Sequence, residues 1–283
     1  MSWKLRLTAG LAALGLAALA HAAPFAMVTE VKGDPTATLE GKSRKLTLLA
    51  FIQGPEEVSV APKGRLVVTY FASGMQYSVD GPAKLVLAAT EPQVLEGAAQ
   101  RRKISPDKWI GEGGLSTDQW RRLSQATSVM RDVTASFAVV SPNNSVVLAP
   151  APLFEWTPAA NVRRYKLVIY GPQSQVLYEE VTTGTALRPA PSLQLQAGVK
   201  YRWKVDQLGV AQPRSASGVF SVASDAERAR AMAGKPDEPP NLASRLYYAT
   251  MLEAEGYEND AREEWKALIK DFPEVQEARR KPL

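Results

Sequence analysis

The chain has 283 residues, with 34 Lys and Arg against 29 Asp and Glu, no Cys and one His. This length suits about two domains of ~150 residues each. The lone His21 lies in a segment that we expect to be removed, so the mature chain has neither imidazole nor thiol. That excludes Ser-His-Asp triads, Cys-His pairs and most zinc sites. The mild net charge of +5 does not indicate a nucleic-acid partner.

The N-terminal segment has the layout of a secretory signal peptide. Lys4 and Arg6 form a basic start, Leu11 to Ala20 contains only Leu, Ala and Gly, and Ala20-His21-Ala22 offers a small-x-small cleavage site. We therefore predict a signal peptide over residues 1–22 and a soluble periplasmic protein after cleavage. A retained N-terminal anchor is the alternative, but the apolar run is shorter than the ~20 residues that span a bilayer.

Residues 23–97 are typical of short strands separated by turns. The strongest strand is the β-branched and aromatic run from Leu66 to Phe71. Pro62-Lys63-Gly64 precedes it, and Ser73-Gly74 and Gly81-Pro82 follow at the spacing of successive turns. This pattern predicts an all-β domain, a small sandwich or barrel.

This region resembles the FecR family of periplasmic sensor domains over roughly 70 residues. The resemblance is carried by the segment from Val28 to Asp34, by Gly64 to Val68 and by Val79 to Ala83. The family's usual Asp-Gly is replaced by Ser73-Gly74, and its Gly-Asp before the third strand is missing. The chain lacks the cytoplasmic segment and membrane span of full signalling members, so the resemblance implies a β domain without transmembrane relay.

Residues 98–136 are predicted to be a linker with one or two short helices. Arg101-Arg102-Lys103 is interpreted as solvated linker, and residues 105–107 and 111–114 as loops. A helix is expected from Ser116 to Asp118 onward, with Trp120 and Leu123 on one face.

Residues 137–222 carry a clearer β pattern, which resembles a fibronectin type III domain. The Leu-x-x-Gly-x-x-Tyr-x-Trp-x-Val pattern runs from Leu195 to Val205. The resemblance implies that Trp156 and Tyr165 lie in the core of a β-sandwich. It also implies that Tyr201 is the tyrosine corner, with its hydroxyl turned back to upstream backbone.

The C-terminal part is predicted to be helical. Residues 223–240 suggest a short helix and a Pro-containing linker, and residues 241–283 a helical hairpin in which Gly256 ends the first helix, Asn259 caps the second and Pro273 ends it. The hairpin resembles a single tetratricopeptide unit. One such unit does not bury its apolar face alone, so it must dock on the β domains, dimerise or hold a partner.

Together these patterns predict a mostly-β, multidomain chain with a C-terminal α-hairpin. We hypothesise a non-enzymatic binding or scaffold protein that contacts envelope proteins. A carbohydrate- or peptidoglycan-binding accessory and a carboxylate-based hydrolase are the alternatives, the latter requiring two acids in one cleft. No cofactor is predicted, because the glycines at 111–114 lack a phosphate-loop ending. The candidate partner contacts are apolar and aromatic: Tyr70, Phe71, Tyr170, Tyr178, Leu246, Leu252, Trp265 and Phe272.

Overall fold

The computed structural model describes residues 23–104, 115–129, 137–236 and 241–280. In these ranges the chain forms two β-sandwiches and a set of C-terminal helices. This confirms the predicted mostly-β, multidomain fold class. The predicted signal peptide and the loops predicted at 105–107 and 111–114 lie outside the described residues.

The first sandwich is built from ten strands. These are β1 (Ala26–Lys32), β2 (Thr36–Leu39), β3 (Lys42–Lys45), β4 (Phe51–Ile52), β5 (Glu56–Val60), β6 (Arg65–Tyr70), β7 (Met75–Asp80), β8 (Ala83–Leu87), β9 (Pro92–Glu96) and β10 (Ala99–Lys103). One antiparallel sheet has the order β10-β7-β6-β1-β4, and the facing sheet has the order β3-β2-β5-β8-β9.

The burial pattern distinguishes strands of this sandwich with one buried face from strands with two buried faces. In β5 burial alternates, with Val58 and Val60 inside and Ser59 outside, as expected for a sheet with one face in water. In β6 both faces are buried: Val68 packs inside the sandwich, whereas Val67 and Thr69 face the other way and are also buried. The continuous apolar run of β6 therefore indicates that its outer face is covered.

The second sandwich is built from eight strands. These are β11 (Val139–Ser141), β12 (Ser145–Val147), β13 (Phe154–Trp156), β14 (Arg164–Tyr170), β15 (Val176–Thr182), β16 (Ala186–Leu187), β17 (Lys200–Leu208) and β18 (Ser215–Val222). A sheet β11-β13-β16 packs on a sheet β12-β18-β17-β14-β15. As predicted, Trp156 and Tyr165 are in the core, and the Tyr201 hydroxyl accepts a 2.7 Å hydrogen bond from the upstream Gln196 N–H.

Five helices complete the described chain. These are α1 (Thr117–Val129), α2 (Asp225–Ala233), α3 (Leu242–Glu255), α4 (Glu258–Asp271) and α5 (Glu274–Arg280). The predicted start of α1 is confirmed, because the Ser116 side chain accepts from the Gln119 N–H at 3.2 Å. Gly256 ends α3 with φ of 88°, a left-handed conformation that favours glycine.

One apolar cluster, here called the central helical core, connects all parts of the molecule. It contains buried side chains of α3 and α4, such as Leu246 and Trp265. The same cluster includes Phe71 of the first sandwich, Leu148 of the second and Leu123 of α1. The helices therefore fill the space between the two sandwiches.

Two local predictions are corrected and a third is confirmed. Arg101-Arg102-Lys103 is not linker but part of β10, because its backbone pairs with β7 while the charged side chains stay exposed. Asn259 does not cap α4, which begins one residue earlier; it is buried and accepts a hydrogen bond from Ser141. Pro273 ends α4 as predicted, and α5 follows at once, since proline is tolerated at a helix start.

Candidate functional site

Most of the predicted partner contacts lie inside the molecule. Tyr70, Phe71, Leu246, Leu252 and Trp265 are each at most 2% exposed. Tyr70 belongs to the core of the first sandwich, and the other four belong to the central helical core. Their assignment as contacts for a partner is therefore corrected: these apolar side chains already pack against the chain's own residues.

The remaining three predicted contacts are partly exposed. Phe272 packs against the edge of the central helical core. Tyr170 lies on the outer face of the second sandwich, where the Arg202 guanidinium stands 4.5 Å from its ring centroid. Tyr178 is in β15, and its hydroxyl bonds to the Glu180 carboxylate. Tyr178 also packs against the core of the second sandwich, so all three side chains are only partly accessible on the described surface.

The helices are attached to the first sandwich by specific polar contacts as well as by packing. The Tyr247 hydroxyl donates a 3.0 Å hydrogen bond to the Phe71 carbonyl, and the two rings stack with centroids 6.3 Å apart. The Thr250 hydroxyl lies 3.7 Å from the Met27 sulfur. Helix α3 thus packs on the first sandwich and covers the outer face of β6 and β1.

Helix α4 is attached to the second sandwich in the same way. The Ser141 hydroxyl bonds to Asn259 at 2.9 Å in a buried position, and the Leu148 N–H bonds to Asp260 at 3.0 Å. At the rim, Glu263 forms an ion pair with Arg188. Because both faces of the hairpin are occupied, the two sandwiches have a defined relative orientation.

A cavity of about 500 Å³ lies between the second sandwich, α2 and α4. Three carboxylates line it, those of Asp260, Glu263 and Glu264. Burial raises the pKa of Asp260 to about 6, although the hydrogen bond from the Leu148 N–H lowers it in part. A cleft with several acids, one of them with a raised pKa, is what the carboxylate-hydrolase alternative requires.

The hydrogen-bond partners of these acids favour a structural role. Glu263 is paired with Arg188, and Glu264 with Arg245. Asp260 accepts the backbone N–H that follows β12. Each carboxylate therefore has a partner within the fold, which is how buried charges are stabilised at an interface.

The two acidic dipeptides considered in the sequence do not form carboxylate pairs. Glu56 is buried and bound by Arg44 at 2.8 Å, whereas its neighbour Glu57 is exposed on the opposite face of β5. In β15, Glu179 pairs with Lys166 at 2.7 Å and Glu180 with the Tyr178 hydroxyl. Adjacent strand residues point to opposite faces, as expected.

Two negative findings apply to the described part of the chain. None of its helices is long and apolar enough to cross a membrane. No group of three or more acidic or imidazole side chains there is arranged to hold a metal ion.

Strand β15 is an edge strand with three exposed apolar side chains. It pairs only with β14 and closes one side of its sheet. Val176, Leu177 and Val181 are 54%, 38% and 47% exposed. Within β15, the sequence pattern predicted a contact only at Tyr178. Whether a strand lies at the edge of a sheet depends on its neighbours in the fold and is not visible in its own residues.

The other edge strands in the described ranges carry features that discourage pairing with another chain. β4, β11, β12 and β16 have only two or three residues. β3 and β10 carry exposed Lys and Arg, and β9 begins with Pro92. Short length, basic side chains and proline are the usual protections of a sheet edge. β15 has seven residues and no Lys, Arg or Pro.

Comparison with known proteins adds little to this picture. No protein-family model and no curated protein matches the chain. A solved structure of PorZ, a bacterial surface component of the type-IX secretion system of Porphyromonas gingivalis, is 10% identical, with a TM-score of 0.23. The match covers 66% of this chain and 25% of that one, so the chain spans about a quarter of its length. A likeness at this level does not indicate a shared function.

Proposed function

We propose that this chain is an exported, non-catalytic scaffold protein of the bacterial cell envelope, which binds an extended segment of another protein along β15. The observation that carries this proposal is the seven-residue edge strand β15, on which Val176, Leu177 and Val181 are exposed. Strand addition uses the unpaired backbone groups of an edge for affinity and the alternating side chains for specificity.

The side chains of β15 define the partner's chemistry. Leu177, Glu179 and Val181 alternate along one face of the strand, with Glu179 half-exposed beside Lys166. An added strand would place its own residues next to these at the spacing of direct cross-strand pairs. The best complement is a segment with an apolar, a basic and an apolar residue at alternate positions.

The fixed arrangement of the two sandwiches supports a scaffold role. The central helical core and the buried Ser141–Asn259 bond orient the second sandwich, and hence β15, relative to the first. The signal-peptide pattern of residues 1–22 supports export. The FecR-like and tetratricopeptide-like resemblances remain predictions, and the proposal does not depend on them.

Site-specific photo-crosslinking in cells tests this function. A photoreactive residue at Leu177 should capture one protein, and a photoreactive residue at Leu95, which is even more exposed on β9, should not capture it. The captured protein is then purified and titrated against the wild type and against a Leu177→Lys, Val181→Lys variant. We expect the variant to bind at least about tenfold more weakly, because lysines at an edge oppose strand addition.

The control variant is Leu95→Lys, Val94→Lys, which makes the same change on the exposed edge of the first sandwich. Equal binding by the wild type and the β15 variant would overturn the proposed mode. The non-catalytic assignment has a separate test: turnover of a substrate by the mature protein that Asp260→Asn abolishes would contradict it.

A further inference from the structure

A polar groove on the first sandwich has the properties of a second binding site. It has a volume of about 500 Å³ and lies where the outer face of the β10-β7-β6-β1 sheet meets the start of α3. It is here called the sheet groove, and its lining includes Arg65, Gln76, Ser78, Arg102, Leu242 and Ala243. It lies in the other sandwich from β15, so the two sites can be tested separately.

The floor of the sheet groove is a row of polar side chains that crosses the strands. Arg102 in β10 is directly opposite Gln76 in β7, and Gln76 is opposite Thr69 in β6. Directly opposed residues have their side chains on the same face of the sheet. Thr69 itself does not line the groove, but its hydroxyl lies 3.0 Å from that of the lining residue Thr29.

Apart from Arg102, the polar side chains of this row are buried rather than solvated. Thr29 and Thr69 are fully buried and Gln76 is 7% exposed. The two threonines satisfy each other, but the Gln76 side-chain nitrogen has no hydrogen-bond partner. Leaving a buried amide unpaired costs about 1–3 kcal/mol, so such a group is uncommon unless a ligand or another molecule completes it.

The charges around the groove favour an anion. Arg102 is exposed and makes no ion pair with the described part of the chain. The one acid in the lining, Glu30, is already held by Arg65 at 3.0 Å. The first-turn N–H groups of Leu242 and Ala243 have no intrahelical partner, and the start of a helix carries partial positive charge.

The size and lining of the groove restrict the ligand further. Its volume falls within the range of about 300–1,000 Å³ that is common for sites of small organic ligands, and is more than one inorganic ion needs. Amide and hydroxyl groups such as Gln76 and Ser78 are suited to hydrogen bonds with sugar hydroxyls.

We propose that the sheet groove binds an anionic sugar, a saccharide that bears a carboxylate or a phosphate. Arg102 and the first turn of α3 hold the charged group. Gln76 and Ser78 bind hydroxyl groups of the same ligand. Such a site would let the scaffold attach to an acidic glycan while β15 contacts a protein.

Isothermal titration calorimetry with the mature chain tests this site. The probes are trigalacturonate, glucose 6-phosphate and the uncharged maltotriose. We expect binding of at least one anionic probe and none of maltotriose. Binding of trigalacturonate alone would indicate a carboxylated sugar ligand, and binding of glucose 6-phosphate alone a phosphorylated one. Binding of both would indicate that the groove recognises the negative charge of either sugar.

Variants locate the binding in the groove. Arg102→Gln and Gln76→Leu should each weaken binding at least about tenfold. Gln76→Leu should keep its melting temperature, because it removes an unsatisfied amide instead of creating one. The matched control is Lys42→Gln, which makes the same charge change on the exposed edge strand β3 of the opposite sheet. Absence of binding by both anionic probes, or an equal loss in Lys42→Gln and Arg102→Gln, would overturn the proposal.

Discussion

The backbone N–H of Leu148, immediately after β12, donates a 3.0 Å hydrogen bond to the carboxylate of Asp260 in the first turn of α4. Burial raises the pKa of this carboxyl from 3.8 to about 6. The folded chain therefore binds a proton more tightly than the unfolded chain, and the ionised form costs stability.

This relationship predicts a pH dependence at the junction of α4 with the second sandwich. The contribution of Asp260 to stability should fall as the pH rises from about 4 to about 7 and stay constant above that. Asp260→Asn keeps an oxygen for the Leu148 N–H but does not ionise. We expect the variant to match the wild type near pH 4 and to be more stable at pH 8 by about 1–3 kcal/mol. Urea unfolding at both pH values measures the difference, and a gap that does not grow with pH would refute it.

Trp265 is the largest buried side chain of α4, 2% exposed, and Arg279 of α5 stacks on it with 3.9 Å between the guanidinium carbon and the ring centroid. Trp265→Ala should lower the free energy of unfolding by about 3–5 kcal/mol, because it leaves a cavity in the central helical core. Met232→Ala, at a side chain 49% exposed, is the control and should change stability little. Unchanged stability of the Trp265 variant would show that the helices do not depend on this packing.

Arg279 and Glu253 form a buried ion pair at 2.9 Å, with side chains only 6% and 10% exposed. Arg279→Met alone should destabilise by about 3 kcal/mol, because it leaves the Glu253 carboxylate buried without its partner. Adding Glu253→Gln should recover part of this loss, since no buried charge then remains. A double-mutant cycle followed by chemical unfolding measures the coupling, and simple additivity of the two changes would contradict the pair.

The Tyr201 hydroxyl accepts the 2.7 Å hydrogen bond from the Gln196 N–H in the second sandwich. Tyr201→Phe should cost about 1–2 kcal/mol, because it leaves that N–H without its partner and keeps the ring packing. Tyr178→Phe makes the same chemical change on β15, where the hydroxyl is near solvent, and should cost much less. Thermal unfolding of the two variants tests this, and the opposite ranking would be inconsistent with a tyrosine corner.

The sequence predicted best where the deciding contacts are local. The alternation from Tyr201 to Val205 and the side-chain cap at Ser116 depend on neighbours a few residues away, and the structure confirms both. The two apolar faces of β6 were also visible as a continuous run, although what covers its outer face was not.

The features that could not be predicted from the sequence depend on contacts between residues far apart in the chain. Phe71 and Tyr247, which stack in the central helical core, are 176 residues apart. The sequence therefore did not decide whether the hairpin packs on its own β domains or binds a partner. Gln76 carries no motif, and a glutamine in a strand is ordinarily a surface residue. Only the covering of its sheet by α3 makes it a buried, unpaired amide.

The shared apolar interior has one more consequence, for the way the molecule comes apart. A sandwich freed from the helices would expose Met27 and Phe71 on one side of the molecule, or Leu148 on the other, to water. Although each sandwich also has a core of its own, this shared interior should make heating melt the sandwiches and helices in a single cooperative transition. The chain resembles a row of separate modules in its sequence, but we expect it to unfold as one unit.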